Sequence, residues 1–311
     1  MTYILMLILC LLWGLSFLGT KVLLGFMEPV EILAVRWTLA FVFFSVLVLL
    51  RIVKVDYRGK PVRKILAAAA LQPCLYSIME TWGVNLTTAS ETSIFIALVP
   101  MAVVMLNRIF LHRTVNRINA FAILLSFSGV LVCVAFSPLF SVGSRLSGYL
   151  ILLGAVLSGA GYTVYSSTIG ADFTPMEITY ILTAAGSAFF NLLALAQGGC
   201  LEGYLLFFRD GRVMIALLYL GVGCSCVAYM IFNYALSRLR TEIVATVQTN
   251  LITVIGVAAG IILGGEPWGW YTAAGLAMTV TGICISALDG SRQEKQIAGR
   301  IQKKRRERVK F

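Results

Sequence analysis

The sequence predicts an all-α polytopic membrane protein, ten transmembrane helices arranged as two inverted five-helix repeats. Three observations predict it. Ten apolar stretches fill nearly all of the 311-residue chain, each about 20 residues long, the length that a 1.5 Å rise needs to cross roughly 30 Å of hydrocarbon. Composition agrees, with 59% hydrophobic residues, 13% charged and a mean hydropathy of +0.90. The punctuation of the first half then returns in the second, at offsets of 146 to 153 residues. Lipid offers backbone groups no water, so spans of this kind are helices or closed barrels.

In chain order the spans are read at 3–26, 29–52, 65–85, 87–110, 118–137, 147–169, 174–196, 213–235, 241–264 and 271–289. The first has no basic start and no small-residue cleavage site, and it is too long for a signal; it reads as a span that is kept. The second opens at Pro29-Val30-Glu31-Ile32, the third carries Gln72, Tyr76 and Glu80, and the fourth follows Ala89-Ser90 and contains Pro100. The sixth carries Ser158, Tyr162 and Tyr165, and the seventh opens at Pro175-Met176-Glu177-Ile178, 146 residues after its counterpart. The eighth carries Ser225, Tyr229, Phe232 and Asn233. The ninth carries Glu242, Thr246, Thr249, Asn250 and Thr253, then Gly256, Gly260 and Gly264 at a spacing that suits close helix contact, within the chain or between copies. The fifth and tenth show no polar stripe and read as peripheral.

Gly129 and Gly282 lie 153 residues apart, as do Arg113-Thr114 and Glu266-Pro267; Trp82 and Tyr234 lie 152 apart. Five helices per half is an odd number, so the second copy enters upside down. The units are residues 1–137 and 147–289, followed by a basic tail, 290–311. Inverted repeats of this type belong to secondary transporters, with a path at the repeat interface.

Net charge is +11, and its placement matters more than its size. With the N-terminus in the cytoplasm, the inner side gathers Arg51, Lys54, Arg58, Lys60, Arg63, Lys64, Arg108, Arg113, Arg117, Arg238, Arg240 and the tail; the outer side holds only Arg145, Arg209 and Arg212. The positive-inside rule therefore places both termini in the cytoplasm, in a plasma (inner) membrane. The tail, with Lys303-Lys304-Arg305-Arg306, suits anionic lipid headgroups. No aromatic platform accompanies it, so nucleic acid is not expected as a partner. Monomer and dimer both stay open.

Polar residues are expensive in lipid-spanning helices and usually face a bundle interior or a wet cavity. Helical spacing puts Trp13, Ser16 and Thr20 on one face, and Gln72, Tyr76 and Glu80 on another. With Tyr162, Tyr165, Ser225, Tyr229, Asn233, Thr246 and Asn250 they are the candidates to line a substrate path; the alternative is hydrogen bonding between packed helices, worth about 0.6 kcal/mol each. Lys21, Arg36, Glu80 and Glu91 all lie in the outer halves of their helices and suit either a neutral structural cluster or an outer gate in which a carboxylate takes a proton. Glu242 reads as a mouth carboxylate or as a helix-start charge.

Leu12-Trp13-Gly14-Leu15-Ser16-Phe17, Ala89-Ser90, Pro100 and Gly264-Gly265-Glu266-Pro267 resemble the signatures of EamA-type proteins in the drug/metabolite transporter superfamily. The resemblance covers about 3–289 and implies a ten-helix inverted repeat that moves small polar metabolites, commonly amino acids and often outward. It also implies a central cavity built from helices one, three, four, six, eight and nine. Two positions depart from it: Leu111-His112-Arg113 stands where a Gly-Glu pair is common, and Thr253 where proline is common.

His112 is the only histidine and the seven cysteines lack metal-ligand spacing, so no metal, cofactor or nucleophilic catalytic pair is expected. Gly59-Lys60 lacks the upstream glycine of a phosphate loop. The sequence thus favours a secondary transporter of small molecules over an enzyme or a membrane scaffold. Export of an amino acid or related metabolite is the first expectation. Import of a small organic cation, suggested by aromatic stripes, is the second.

Overall fold

A computed structural model describes residues 2–111, 117–136, 144–169, 172–198, 200–238, 241–285 and 288, and among these there is helix and no strand. The first helices are α1 (Thr2–Leu23) and α2 (Pro29–Leu49). Pro29 occupies the first turn of α2, where its missing N–H costs nothing, and Glu31 accepts from the Glu28 N–H at 3.2 Å. The predicted third span is broken. It forms α3 (Arg63–Ala69), a wider π-helical stretch over Ala70–Leu75, and α4 (Tyr76–Leu86). Pro73 is the cause, since proline cannot donate its N–H and drives the residue before it out of the helical region; Gln72 has φ −143° and ψ 115°.

Next come α5 (Ala89–Ile96), α6 (Val99–Leu111), α7 (Arg117–Ala135), α8 (Ser144–Ile169) and α9 (Pro175–Ala196). Both α5 and α9 begin on reciprocal caps, Thr88 with Glu91 and Thr174 with Glu177. A short helix outside the ten expected spans, α10 (Cys200–Arg209), precedes α11 (Gly211–Leu218), a second π-helical stretch over Tyr219–Val227, and α12 (Ala228–Arg238). The chain continues through α13 (Thr241–Ile262) and α14 (Trp270–Ile285).

Among the described residues, six stretches are long and apolar enough to cross a membrane: Ile4–Leu23, Pro29–Leu49, Ala89–Ile109, Arg145–Ser166, Pro175–Ala196 and Gly211–Arg238. Three shorter apolar stretches are Ala120–Cys133, Gln248–Ile262 and Trp270–Ile285. Large apolar side chains such as Leu124, Leu150, Leu157 and Leu192 are exposed, while Ser90, Thr92, Ser93 and Thr183 are buried. Apolar outside and polar inside is the pattern that lipid selects. The protein is a multi-pass membrane protein.

Small residues bring the helices together. A Cβ on Gly186 of α9 would lie 2.8 Å from the Trp37 ring of α2 and from Pro73. Gly256 and Gly260 of α13 are filled from within the chain, by Ser93 and Phe17 and by Ser90 and Glu266. In α7 and α14, Gly129 rests on Gly275 and Thr279, and Gly282 rests on Ala122 and Ser126. The tail 290–311, with His112 and Arg113, lies outside the described residues.

Candidate functional site

A cavity with about 650 Å³ of empty space opens between α1, α2, α4, α8, α12 and α13, with the α5–α6 junction closing one side. Its wall holds Trp13, Ser16 and Phe17 from α1, Arg36 from α2, then Gln72, Tyr76 and Glu80 from the broken helix. Ile96 and Val99 add apolar surface, α8 gives Gly159, Tyr162 and Thr163, α12 gives Tyr229 and Phe232, and α13 gives Gln248, Thr249 and Ile252.

Aromatic rings form a connected shelf. Trp13 meets Tyr229 edge-on with centroids 5.1 Å apart and Phe232 at 5.2 Å, and Tyr162 stacks near Phe232 at 6.3 Å. Such pairs prefer edge-to-face or offset contact, which fixes ring orientation. Hydrogen bonds hold the shelf from behind. Trp13 Nε1 donates to the Cys224 carbonyl at 3.0 Å, Gln72 Nε2 donates to Tyr229 Oη, and Tyr162 Oη donates to Asn233 Oδ1 at 3.0 Å. Asn233 Nδ2 in turn donates to Thr179 Oγ1 at 3.0 Å. At the helix break, Ser158 Oγ donates to the Leu71 carbonyl at 2.8 Å, the kind of side-chain repair a broken membrane helix needs.

Two charges share this wall. Arg36 is 4% exposed; its Nε donates to Ser225 Oγ at 2.7 Å, and its Nη1 has no partner. The second π-helical stretch makes this possible. Gly221 lets its backbone lie against α2, where a Cβ would sit 2.8 Å from the Arg36 carbonyl oxygen. Glu80 is also 4% exposed, and among the described residues it closes no ion pair with Arg36. A buried, unpaired donor is costly unless something completes it. A ligand with a carboxylate and an ammonium would complete both ends.

The structure brings Trp13, Ser16, Gln72, Tyr76, Tyr162, Tyr229, Arg36 and Glu80 to one cavity. Other candidates lie behind it. Ser225 supports Arg36 and Asn233 supports Tyr162 from outside the wall. Thr20 is buried beyond the wall without a partner, and Tyr165 packs against the hydrophobic core outside the wall. Asn250 points to Cys284 of α14, 3.7 Å from its Sγ. The side chains of Thr246 and Glu242 lie outside the described set.

The four outer-half charges do not gather into one cluster. Lys21 Nζ donates to the carbonyls of Val84 at 2.8 Å and Thr87 at 2.6 Å, the open end of α4, where a cation is favoured. Glu91 accepts from Tyr149 Oη at 3.0 Å and pairs with Arg145 at 3.5 Å. Glu266 accepts from the N–H groups of Ala89 and Ser90 at 2.7 and 2.9 Å. Lys21 and Glu91 therefore belong to the ends of α4 and α5, and Arg36 and Glu80 to the cavity.

Sequence reasoning did not assign Phe17, Ile96, Val99, Gly159, Thr163, Gln248 and Ile252 to the wall. The apolar ones carry no signal that separates lumen from core. Gln248 did carry one, a long amide within an apolar helix, and its Oε1 is buried without a partner.

A profile of the EamA-like transporter family matches residues 1–135 and 146–288. The "Uncharacterized transporter YcxC" of Bacillus subtilis is 30% identical over 286 residues, 91% of each chain. A protein of Streptantibioticus cattleyicolor named "Probable terminal-alkyne amino-acid exporter" is 22% identical over 247 residues, 78% of this chain and 80% of that one. A protein crystal structure with 17% identity superposes with a TM-score of 0.69, covering 94% of this chain and 98% of the other, which speaks to the fold.

Proposed function

The chain belongs to the EamA-like transporter family, and from that premise we propose that it is a secondary active transporter that exports amino acids or closely related zwitterions. The observation that carries this reading is Arg36 Nη1, buried and unpartnered, in the same aromatic-walled cavity as Glu80. A substrate carboxylate completes the guanidinium, its ammonium faces Glu80, and its side chain lies on the shelf of Trp13, Tyr162, Tyr229 and Phe232. A lone organic cation, the other expectation, would leave Arg36 Nη1 without a partner, which favours a zwitterion.

Transport proceeds by alternating access between two inverted repeats, residues 1–137 and 147–289, with ten crossings and both termini in the plasma-membrane cytoplasm. A widened helical stretch occurs in each half, at Ala70–Leu75, where the helix is broken, and at Tyr219–Val227, where it runs on, and this supports the division. Glu80 is the coupling carboxylate. The basic tail 290–311 rests on anionic lipid.

The test is charge movement and labelled counterflow in proteoliposomes, run against a panel of amino acids, choline-like cations and nucleosides. Saturable flux of zwitterions, weakened by Arg36→Met, is the expected result. Folded protein that moves cations and ignores zwitterions would overturn the substrate assignment.

A further inference from the structure

The loop between α2 and α3 is strapped to the start of α9 through one carboxylate. Glu177, with its side chain 4% exposed, receives Lys60 Nζ at 2.7 and 2.8 Å, the Asp56 N–H at 3.0 Å and the Thr174 N–H at 2.9 Å. Tyr57 Oη donates to the Glu177 carbonyl at 3.0 Å, and Lys60 Nζ lies 5.7 Å from the centre of the Phe173 ring. Lys64 adds a second tie to Asp172 at 2.7 Å.

The same parts recur near the start of α2, 146 to 147 residues earlier. Phe26 stands for Phe173, and Glu31 for Glu177. The first turn of α11 supplies the cation: the Arg212 guanidinium lies 5.2 Å from the centre of the Phe26 ring. A similar turn occurs in both segments, Asp56 accepting from the Arg58 N–H at 3.0 Å and Asp210 from the Arg212 N–H at 2.8 Å; it sets Arg212 against Arg58, and the ring contacts are what set it against Lys60. The carboxylate is where they differ. Arg212 is paired with Asp210 at 3.1 Å, and Glu31 accepts from the Glu28 N–H and forms no ion pair among the described residues. Bonding to Arg212 holds the Asp210 carboxyl below its ordinary range, so this partner stays charged.

We infer that Lys60–Glu177 and Arg212–Glu31 are matching latches on the two faces of the bundle, and that they close in turn. In this structure the first is shut and the second is undone. When the cavity opens toward the Lys60 face, Lys60 leaves Glu177, and Arg212 exchanges Asp210 for Glu31. The inference rests on the transporter reading and adds to it the residues that hold each face closed.

The test needs no substrate. Thr163→Cys places a thiol in the cavity wall, and membrane-impermeant maleimide is applied to each face of oriented vesicles, with protein lacking the added cysteine as background. Lys60→Met and Glu177→Gln are expected to raise labelling from the Lys60 face at least 5-fold and to lower it from the other. Arg212→Met and Glu31→Gln are expected to favour closure of the Lys60 face, lowering labelling there. The exchange Lys60→Glu with Glu177→Lys keeps the pair with reversed charges and should return labelling to the wild-type ratio. Equal rises from both faces, or no recovery in the exchanged pair of a protein that still elutes as a folded species, would overturn the latch. Unchanged labelling in protein with normal zwitterion flux would overturn it and leave the transport reading intact; latch behaviour without flux of any substrate would do the reverse.

Discussion

Ser126 donates its hydroxyl to the Thr279 carbonyl at 3.2 Å, and the Thr279 hydroxyl lies 3.3 Å from the Ser126 carbonyl, shared with that of Gly275 in its own helix at 2.8 Å. Ser126 and Thr279 lie 153 residues apart, the offset that also relates Gly129 to Gly282 and Ala122 to Gly275. Under that exchange the contact maps onto itself: Gly129 rests on Gly275 and Thr279, and Gly282 on Ala122 and Ser126. A pseudo-twofold between α7 and α14 makes a simple prediction. Gly129→Leu and Gly282→Leu should lower the thermal unfolding temperature by similar amounts, since a Cβ at Gly129 would already sit 2.6 Å from the Gly275 carbonyl oxygen and one at Gly282 2.6 Å from that of Ala122. Ser126→Ala and Thr279→Ala should each cost only about 0.6 kcal/mol, as hydrogen bonds between membrane helices typically do. Fluorescence-detected unfolding in detergent measures all four. A large effect at one glycine and none at the other would deny the symmetry.

Arg36 is predicted to set substrate affinity. A charged hydrogen bond in a dry cavity contributes about 1.5–3 kcal/mol, so Arg36→Met should raise the KM for zwitterions roughly 10- to 100-fold. Arg36→Lys keeps the charge and loses the planar fork, and its KM should fall between the two. Ser225→Ala frees the Arg36 Nε and should raise KM less than Arg36→Met does. Initial-rate flux in proteoliposomes reads each value; a KM untouched by Arg36→Met removes the guanidinium from substrate binding.

Much of this was legible from spacing, and the failures have physical causes. Pro29 and Pro175 do open helices, because proline at a first turn meets no lost hydrogen bond. Gln72, Tyr76 and Glu80 do share a face of the cavity even though Pro73 breaks the helix between the first two, since a π-helical stretch widens the turn without reversing the chain. In α13 the polar residues cover more than one face. Thr249 reached the lumen with Gln248, whereas Asn250 turned to α14, and composition alone does not say which face meets water. The charges at Lys21 and Glu91 share a depth with Arg36 and Glu80, but depth is not contact. Helix ends claimed two of them.

Glu80 is predicted to couple transport to protons. It is the one carboxylate in the cavity wall among the described residues, and Glu80→Gln keeps its shape while removing the titrating group. Counterflow of labelled substrate should persist when assayed at saturating substrate, which offsets the lost ammonium contact, because exchange needs no net proton movement. Accumulation driven by an imposed pH gradient should vanish. If Glu80→Gln still accumulates substrate on the gradient, the proton travels elsewhere.

Lys21 and Glu266 are predicted to act on stability and not on affinity. They grip the turn over Thr87 and Thr88 from its two ends, the ammonium on the last carbonyls of α4 and the carboxylate on the first N–H groups of α5. Each charge complements the partial charge of the helix end it touches. Lys21→Met leaves those carbonyls without their donor in a half-buried site, at about 1–3 kcal/mol. Glu266→Gln keeps one acceptor and loses the charge, at about 0.5–2 kcal/mol. Both variants should therefore unfold at lower temperature while the KM for zwitterions stays within about twofold of wild type, the range in which a 1.4 kcal/mol change per decade leaves binding essentially untouched. The combination separates a clamp from a gate. A variant with normal thermal stability and a shifted KM, or with flux altered in one direction only, would move Lys21 or Glu266 from holding the turn to controlling access.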